Sequence, residues 1–190
     1  MLFLSNYFVA LLAVGATYLY LRATSRYTKI TFGLLWLLLL PNAAYLFTDY
    51  GNFAYKWSVS GSHYAHWSLL LQYSLLGLIA VAAFIFSFLP FEKIVKNMKL
   101  FQNKQVGWLI AFNFLIAYGV VLGRYEHINS YVIFSNPNRV SVSAMHIFAS
   151  VEFLKLILLY GLLFNLIYFI FRSLFLRRID QSLLIRKILP

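Results

Sequence analysis

The chain has no cysteine, which excludes a disulfide framework, a thiolate nucleophile and a zinc–sulfur site. Charge is nearly as scarce. Only 11% of the 190 residues are charged and 62% are hydrophobic, whereas a soluble domain has about a quarter charged and about half apolar. The net charge of +11 would suit a nucleic-acid binder if the basic residues clustered on a polar face. Here they lie between long apolar runs, which assigns them to membrane topology, and no nucleic-acid partner is expected. The amino-terminal run lacks a basic n-region and a small-residue cleavage pattern, so no cleaved signal peptide is predicted.

What remains is a succession of apolar runs. Leu2 to Leu21 is uncharged and long enough to cross a hydrocarbon core of ~30 Å at ~1.5 Å per residue. Ile30 to Thr48 is the second run, with Pro41 inside it and a kink expected near Leu37 to Pro41. Tyr50 to His66 is polar and aromatic, a loop expected to lie at headgroup level. Trp67 to Leu89 is the third span, ended by Pro90, and a short amphipathic helix on an anionic leaflet should follow, carrying Phe91, Ile94, Val95, Met98 and Phe101. Val106 to Leu122 is the fourth. Gly123 to Val140 reads as a second polar loop with Asn136-Pro137-Asn138 as its turn. The fifth helix runs from about Ala144 to Phe171, with its span at 147–171, before a basic amphipathic tail, Arg172 to Pro190. The expected fold is therefore all-α: a single transmembrane domain over 1–190, polytopic, with five transmembrane helices and short amphipathic cytoplasmic helices.

Basic residues orient the spans. The first loop holds three (Arg22, Arg26, Lys29), the third holds four (Lys93, Lys96, Lys99, Lys104) and the tail holds five (Arg172, Arg177, Arg178, Arg186, Lys187). Only Lys56, Arg124 and Arg139 lie in the other two loops. Twelve against three places the amino terminus outside and the tail in the cytoplasm.

With that orientation His63, His66, His127 and His146 all fall on the outer side, with Asp49, Glu126, Arg124, Arg139 and Glu152. His63 and His66 have nearly the helical spacing of metal ligands, but two histidines in an aromatic interfacial loop are more often headgroup contacts, and no metal is assigned. Adjacent Glu126 and His127 cannot share one helical face, and Ser130 lacks an oxyanion donor or third partner. Glu152 and Lys155 are spaced to pair on one helix. Deeper in the membrane, Asn113 and Asn165 sit ~12 and ~10 Å above the inner ends of their helices, and amides in hydrocarbon seek partners, so they should meet.

The densest polar signal in apolar surroundings is Leu40-Pro41-Asn42-Ala43-Ala44-Tyr45-Leu46-Phe47-Thr48-Asp49. Hydrocarbon offers no water to a freed carbonyl, an amide or a carboxylate, so this segment must face protein or a wet cavity. Asn42 and Gln72 lie at one depth, ~10 and ~9 Å below Asp49 and His66. Arg124 and Asn129 begin the other outer loop and can close the same site. Asp49 is expected to pair with Arg124 over a pocket floored by Asn42, because a nearby arginine holds a carboxylate ionised near lipid.

This segment resembles the leucine-proline-asparagine-alanine-proline-tyrosine…threonine-aspartate motif of an uncharacterised bacterial membrane-protein family, domain of unknown function 1361. Gly123-Arg124-Tyr125 and Asn129-Ser130-Tyr131 are similar to its glycine-arginine-phenylalanine…asparagine-serine-tryptophan stretch. Length and layout fit over most of the chain, and the resemblance implies a multi-pass protein of the bacterial plasma membrane. Ala44 stands where the family usually has proline, and Val132 where it usually has aspartate, which shifts carboxylate chemistry to Glu126.

Three functional readings compete. The first is an enzyme acting on a lipid or lipid-linked substrate at the outer leaflet, with Asp49 or Glu126 as acid or base, His66 or His127 as its partner, and Asn42, Arg124, Asn129 and Ser130 binding substrate. The second is a non-catalytic subunit or accessory protein. The third is transport of a small solute or a proton, disfavoured without a visible internal repeat. Membrane lipids are the expected partners; no cofactor, protein partner or oligomeric state is specified. The orientation has a direct test. A reporter that works only outside the cytoplasm should be active when fused after Gly61 or Asn138 and silent after Asn97 or at the tail, and activity at the tail would overturn five spans.

Overall fold

The computed structural model describes residues 2–97, 104–126, 128 and 132–180, with side chains described over 7–48, 53–97, 104–126, 128, 132 and 135–172. These residues are helical almost throughout. α1 spans Leu2–Arg22 and α2 spans Arg26–Tyr45. A 3₁₀ turn, Leu46–Tyr50, joins α2 to α3, Gly51–Val59. α4 covers His63–Asn97, α5 Gln105–Tyr125, α6 Val132–Ser135, α7 Pro137–Ala149 and α8 Val151–Asp180. Four helical stretches are long and apolar enough to cross a membrane: Arg26–Val59, His63–Asn97, Gln105–Tyr125 and Val151–Arg172.

Local chemistry explains the helix starts. Ser25 caps α2 by accepting the Thr28 N–H at 3.2 Å. Asn136 caps α7 by accepting the Arg139 N–H at 3.2 Å, and Pro137 occupies the first turn, where its missing N–H costs nothing. Asn136-Pro137 is therefore a helix start and not the loop turn expected of it. α7 ends at Ser150, which is extended (φ −96°, ψ 118°), so residues 144–149 belong to α7 and the long helix begins only at Val151. Most of the expected Tyr50–His66 loop is likewise the helix α3.

Neither internal proline ends its helix. α2 continues through Pro41 to Tyr45 before tightening into the 3₁₀ turn. Pro90 lies inside α4, buried, and α4 runs seven residues past it to Asn97. The separate amphipathic helix expected after Pro90 is thus, as far as Asn97, a continuation of α4; Met98 and Phe101 lie outside the described residues. A proline ring disrupts the carbonyls of the turn before it, and neighbouring groups must satisfy them. The carbonyl that loses its helical donor at Pro90 is that of Phe86, and the Trp36 indole donates to the next one, Ser87, at 2.6 Å.

Contacts between helix ends set their directions. Tyr20 stacks on Trp36 at 6.0 Å, Pro41 packs on Gly119, and Glu92 meets Arg172. α2 and α5 therefore run one way and α4 and α8 the other, with α1 antiparallel to α2. Arg22, Arg26, Lys29, Lys93, Lys96 and Arg172 share one end of the bundle, and Arg124, Glu126 and His146 the opposite one. Small residues permit the close approaches: a Cβ on Gly119 would lie 2.9 Å from Pro41 Cγ, and one on Gly161 would run into the Phe114 ring. Aromatic rings fill the interior, with Phe91 stacked on Phe112 at 3.7 Å and Phe88 beside Tyr168 at 4.4 Å.

Two polar pairs join helices inside the bundle, while the buried Ser87 Oγ and Asn113 Oδ1 have no hydrogen-bond partner among the described residues. The fully buried Asn113 donates to Asn165 Oδ1 at 2.8 Å, the expected contact, while Asn165 Nδ2 bonds the Gly161 carbonyl at 2.8 Å. Glu92, read from sequence as part of a polar face, is only 5% exposed. Arg172 grips both of its oxygens, Nε to Oε1 at 2.8 Å and Nη2 to Oε2 at 2.6 Å, and the Tyr168 hydroxyl donates to Oε1. Glu152 and Lys155, by contrast, are exposed and form no ion pair with each other.

Removing one partner of a buried charge pair leaves the other uncompensated. Arg172→Leu is therefore expected to destabilise the fold by roughly 3–5 kcal/mol, and Glu92→Leu in the same chain to restore most of that loss. Denaturation midpoints followed by circular dichroism check both. A double variant no more stable than Arg172→Leu alone would show that the pair is not the source of the effect.

Candidate functional site

The end of the bundle opposite Glu92 gathers the other polar groups. Arg124 lies in the last turn of α5, where a cation complements the helix dipole. Its Nη1 donates to Thr48 Oγ1 at 2.5 Å, and the Thr48 hydroxyl donates in turn to the Tyr45 carbonyl at 2.6 Å. The guanidinium also sits 5.4 Å from the centre of the Tyr45 ring. Arg124 thus reaches the end of the proline-asparagine segment, one residue before Asp49. The Asp49 side chain lies outside the described residues, so the expected Asp49–Arg124 ion pair does too. Asn42 is half-buried one turn below Tyr45, and Gln72 is exposed on α4.

A second cluster begins two residues after Arg124. Glu126 Oε1 lies 2.7 Å from His146 Nδ1 on α7. Arg139, Ser143 and His146 are spaced four and three apart, one face of α7, and this face meets Glu126. Hydrogen bonding to His146 holds the Glu126 carboxyl below its ordinary range; the Ser143 side chain and the charges of His146 and Arg139 act in the same direction, against a smaller desolvation effect. Tyr118 ties α7 to α5 by donating to the Ala144 carbonyl at 3.3 Å. Phe153 of α8 lies under both His146 and Tyr125, at 5.5 and 5.8 Å.

Of the residues singled out from sequence, Arg124 and Glu126 thus stand together. His66 does not join them. It stacks on Trp57 at 4.2 Å and its Nε2 lies 3.1 Å from the Trp57 carbonyl, fastening the α3–α4 turn. His127, Asn129 and Ser130 lie outside the described residues. Among the described residues no three His, Asp or Glu side chains gather in a way that could hold a metal. The partner that sequence reasoning missed is His146. Reading Asn136-Pro137 as a helix start would have put Arg139, Ser143 and His146 on one face.

Long apolar helices with a polar cluster at one end define a helical protein of membrane-spanning architecture. Its family can be stated. The chain belongs to the family described as Protein of unknown function (DUF1361), which it matches over residues 5–167. No curated protein and no solved structure matches the chain.

The lowered Glu126 carboxyl has a consequence for stability. A group whose folded pKa is depressed stabilises the fold above its ordinary value, here 4.5, and loses that contribution as pH falls through the lower folded value. His146→Ala is expected to move the Glu126 titration back up, read by ¹³C NMR of the side-chain carboxyl. A titration unchanged by this substitution would show that His146 is not the cause.

Proposed function

We propose that this is a five-span protein of the bacterial plasma membrane, α1 included, with its amino terminus outside and its tail in the cytoplasm. The twelve-to-three bias of basic loop residues supports that orientation. We further propose that its outer end acts on a lipid or lipid-linked substrate, with Glu126 and His146 as an acid–base pair. The observation that carries this reading is the 2.7 Å contact between Glu126 Oε1 and His146 Nδ1, two residues from a fixed arginine. A carboxylate on Nδ1 orients the ring and selects the tautomer that leaves Nε2 as the base. His146 is exposed, so Nε2 can reach a substrate held at the membrane surface. Arg124 supplies positive charge suited to a phosphate or carboxylate. Asp49 follows Thr48, the partner of Arg124, in the chain, Asn42 sits below, and Asn129 and Ser130 follow Arg124 as further substrate contacts.

A second reading, a non-catalytic subunit, is favoured by one feature. Arg124–Thr48 and Glu126–His146 each tie one segment to another, as purely structural clasps would. Turnover separates the two. Purified protein incubated with labelled membrane lipids is expected to convert one of them, and Glu126→Gln or His146→Ala to abolish conversion with little change in thermal midpoint. No conversion of any lipid, together with one protein co-purifying in stoichiometric amount, would overturn the enzyme in favour of the subunit. The swap Asp49→Arg with Arg124→Asp should likewise give a stable but inactive protein if these residues serve the site, and recovery of both fold and activity if they form a clasp.

A further inference from the structure

The opposite, basic end carries a feature that the outer site does not use. α2 presents Arg26, Lys29, Ile30, Gly33, Leu34 and Leu37 at spacings of three and four, one stripe along a single helix face. This stripe lines an open groove of about 550 Å³, flanked by Tyr20 of α1 and Ile94 of α4, within the roughly 300–1,000 Å³ range of small-molecule sites. From Lys29 the groove follows α2 for eight residues to Leu37, ~12 Å toward the middle of the bundle. Its floor stays low at Gly33, where even a Cβ would lie 3.3 Å from the Tyr20 ring. At the rim, the Lys29 ammonium sits 5.9 Å from the centre of that ring.

A smaller cleft of about 210 Å³ adjoins the groove, sharing Tyr20, Lys29 and Ile94 and adding Lys93. Three cations from two helices therefore line these adjoining clefts, Arg26 in the larger, Lys93 in the smaller and Lys29 in both. No carboxylate among the described side chains lines either cleft. Glu92 is next to Lys93 in sequence but bonds Arg172 and lines a different cleft. Uncompensated cations at the rim ask for an anion, and the apolar channel leading from them asks for a hydrocarbon chain. A soluble phosphate would satisfy only the first and a neutral lipid only the second.

We infer that this groove binds one anionic phospholipid, its phosphate held by Arg26, Lys29 and Lys93 and one acyl chain laid along α2 over Gly33. The inference requires that the helices lie in a bilayer, and it is independent of the chemistry proposed at the outer end.

Native mass spectrometry of the purified chain, offered equal amounts of phosphatidylglycerol and phosphatidylcholine, tests it. A one-to-one adduct with phosphatidylglycerol should dominate, and neutralising each cation in turn (Arg26→Gln, Lys29→Gln, Lys93→Gln) should cut the preference about fivefold. Gly33→Leu should weaken the adducts of both lipids, because it blocks the chain and not the charge, and inorganic phosphate should not displace the lipid. Equal adducts of the two lipids in the parent chain would overturn the proposal. So would a preference unchanged in all three single variants, or full displacement by phosphate, which would mark a headgroup site without a chain.

Discussion

A carboxylate removed from water must find cations or donors, and in this bundle that requirement falls on Glu92. Its effective desolvation cost is several kcal/mol unless geometry and hydrogen bonding compensate. Compensation here is complete, because Arg172 engages both oxygens in the planar fork that a guanidinium offers and the Tyr168 hydroxyl adds a third bond. Glu92 sits near the end of α4 and Tyr168 and Arg172 one turn apart on α8, so satisfying the charge fixes those two helices parallel and in register. α5 is then held against α8 by Asn113–Asn165 and by the Phe114 ring over Gly161. The remaining helices must fit a frame whose depth is already set.

The two internal prolines show how that fit is made. Each forfeits a backbone hydrogen bond, and apolar surroundings supply no water in its place. In the turn before Pro90 another helix supplies a donor, since Trp36 bonds the Ser87 carbonyl and packs its ring against Phe112 at 6.2 Å. At Pro41 the neighbour yields space instead, because Gly119 lets the proline ring come within contact of the α5 backbone. Both prolines thus mark places where helices touch closely and do not mark helix ends. Burial overrides the local preference.

This explains which features were legible in the sequence. Run length and hydropathy located the long helices, because hydrocarbon thickness is a constraint on single segments. Depth along a helix also carried over, and it placed Asn113 opposite Asn165. What could not be read was the outcome of competition between segments. Pro90 and the charges after it read as the end of a span and a polar face, because the partners that hold this stretch inside, Trp36 on Ser87 and Arg172 on Glu92, lie 51 and 80 residues away in the chain. The Asn136-Pro137 helix start was a local signal that went the wrong way, since the same dipeptide opens turns and helices alike. With α7 unread, His66 and His127 were the partners considered for Glu126, and the contact with His146, 20 residues on, stayed hidden.

The carboxylates themselves narrow the choice of a reactive group. The chain has five acidic residues, and the side chains of Asp49 and Asp180 lie outside the described residues. Glu92 is only 5% exposed and holds three hydrogen bonds from Arg172 and Tyr168, so it is tied to the fold and poorly open to a substrate. Glu152 is exposed, and no hydrogen bond or ion pair holds its side chain among the described residues, so nothing fixes its orientation. Glu126 alone of these three combines solvent access with a partner that orients it and is itself able to carry a proton. Its position follows from two helices, the end of α5 on one side and the packed face of α7 on the other. A general acid–base pair needs that kind of placement, since misplacement by about an ångström costs on the order of a hundredfold in rate. The polar end of this bundle therefore has its fixed geometry at Glu126 and His146, with Arg124 two residues before Glu126 in the last turn of α5.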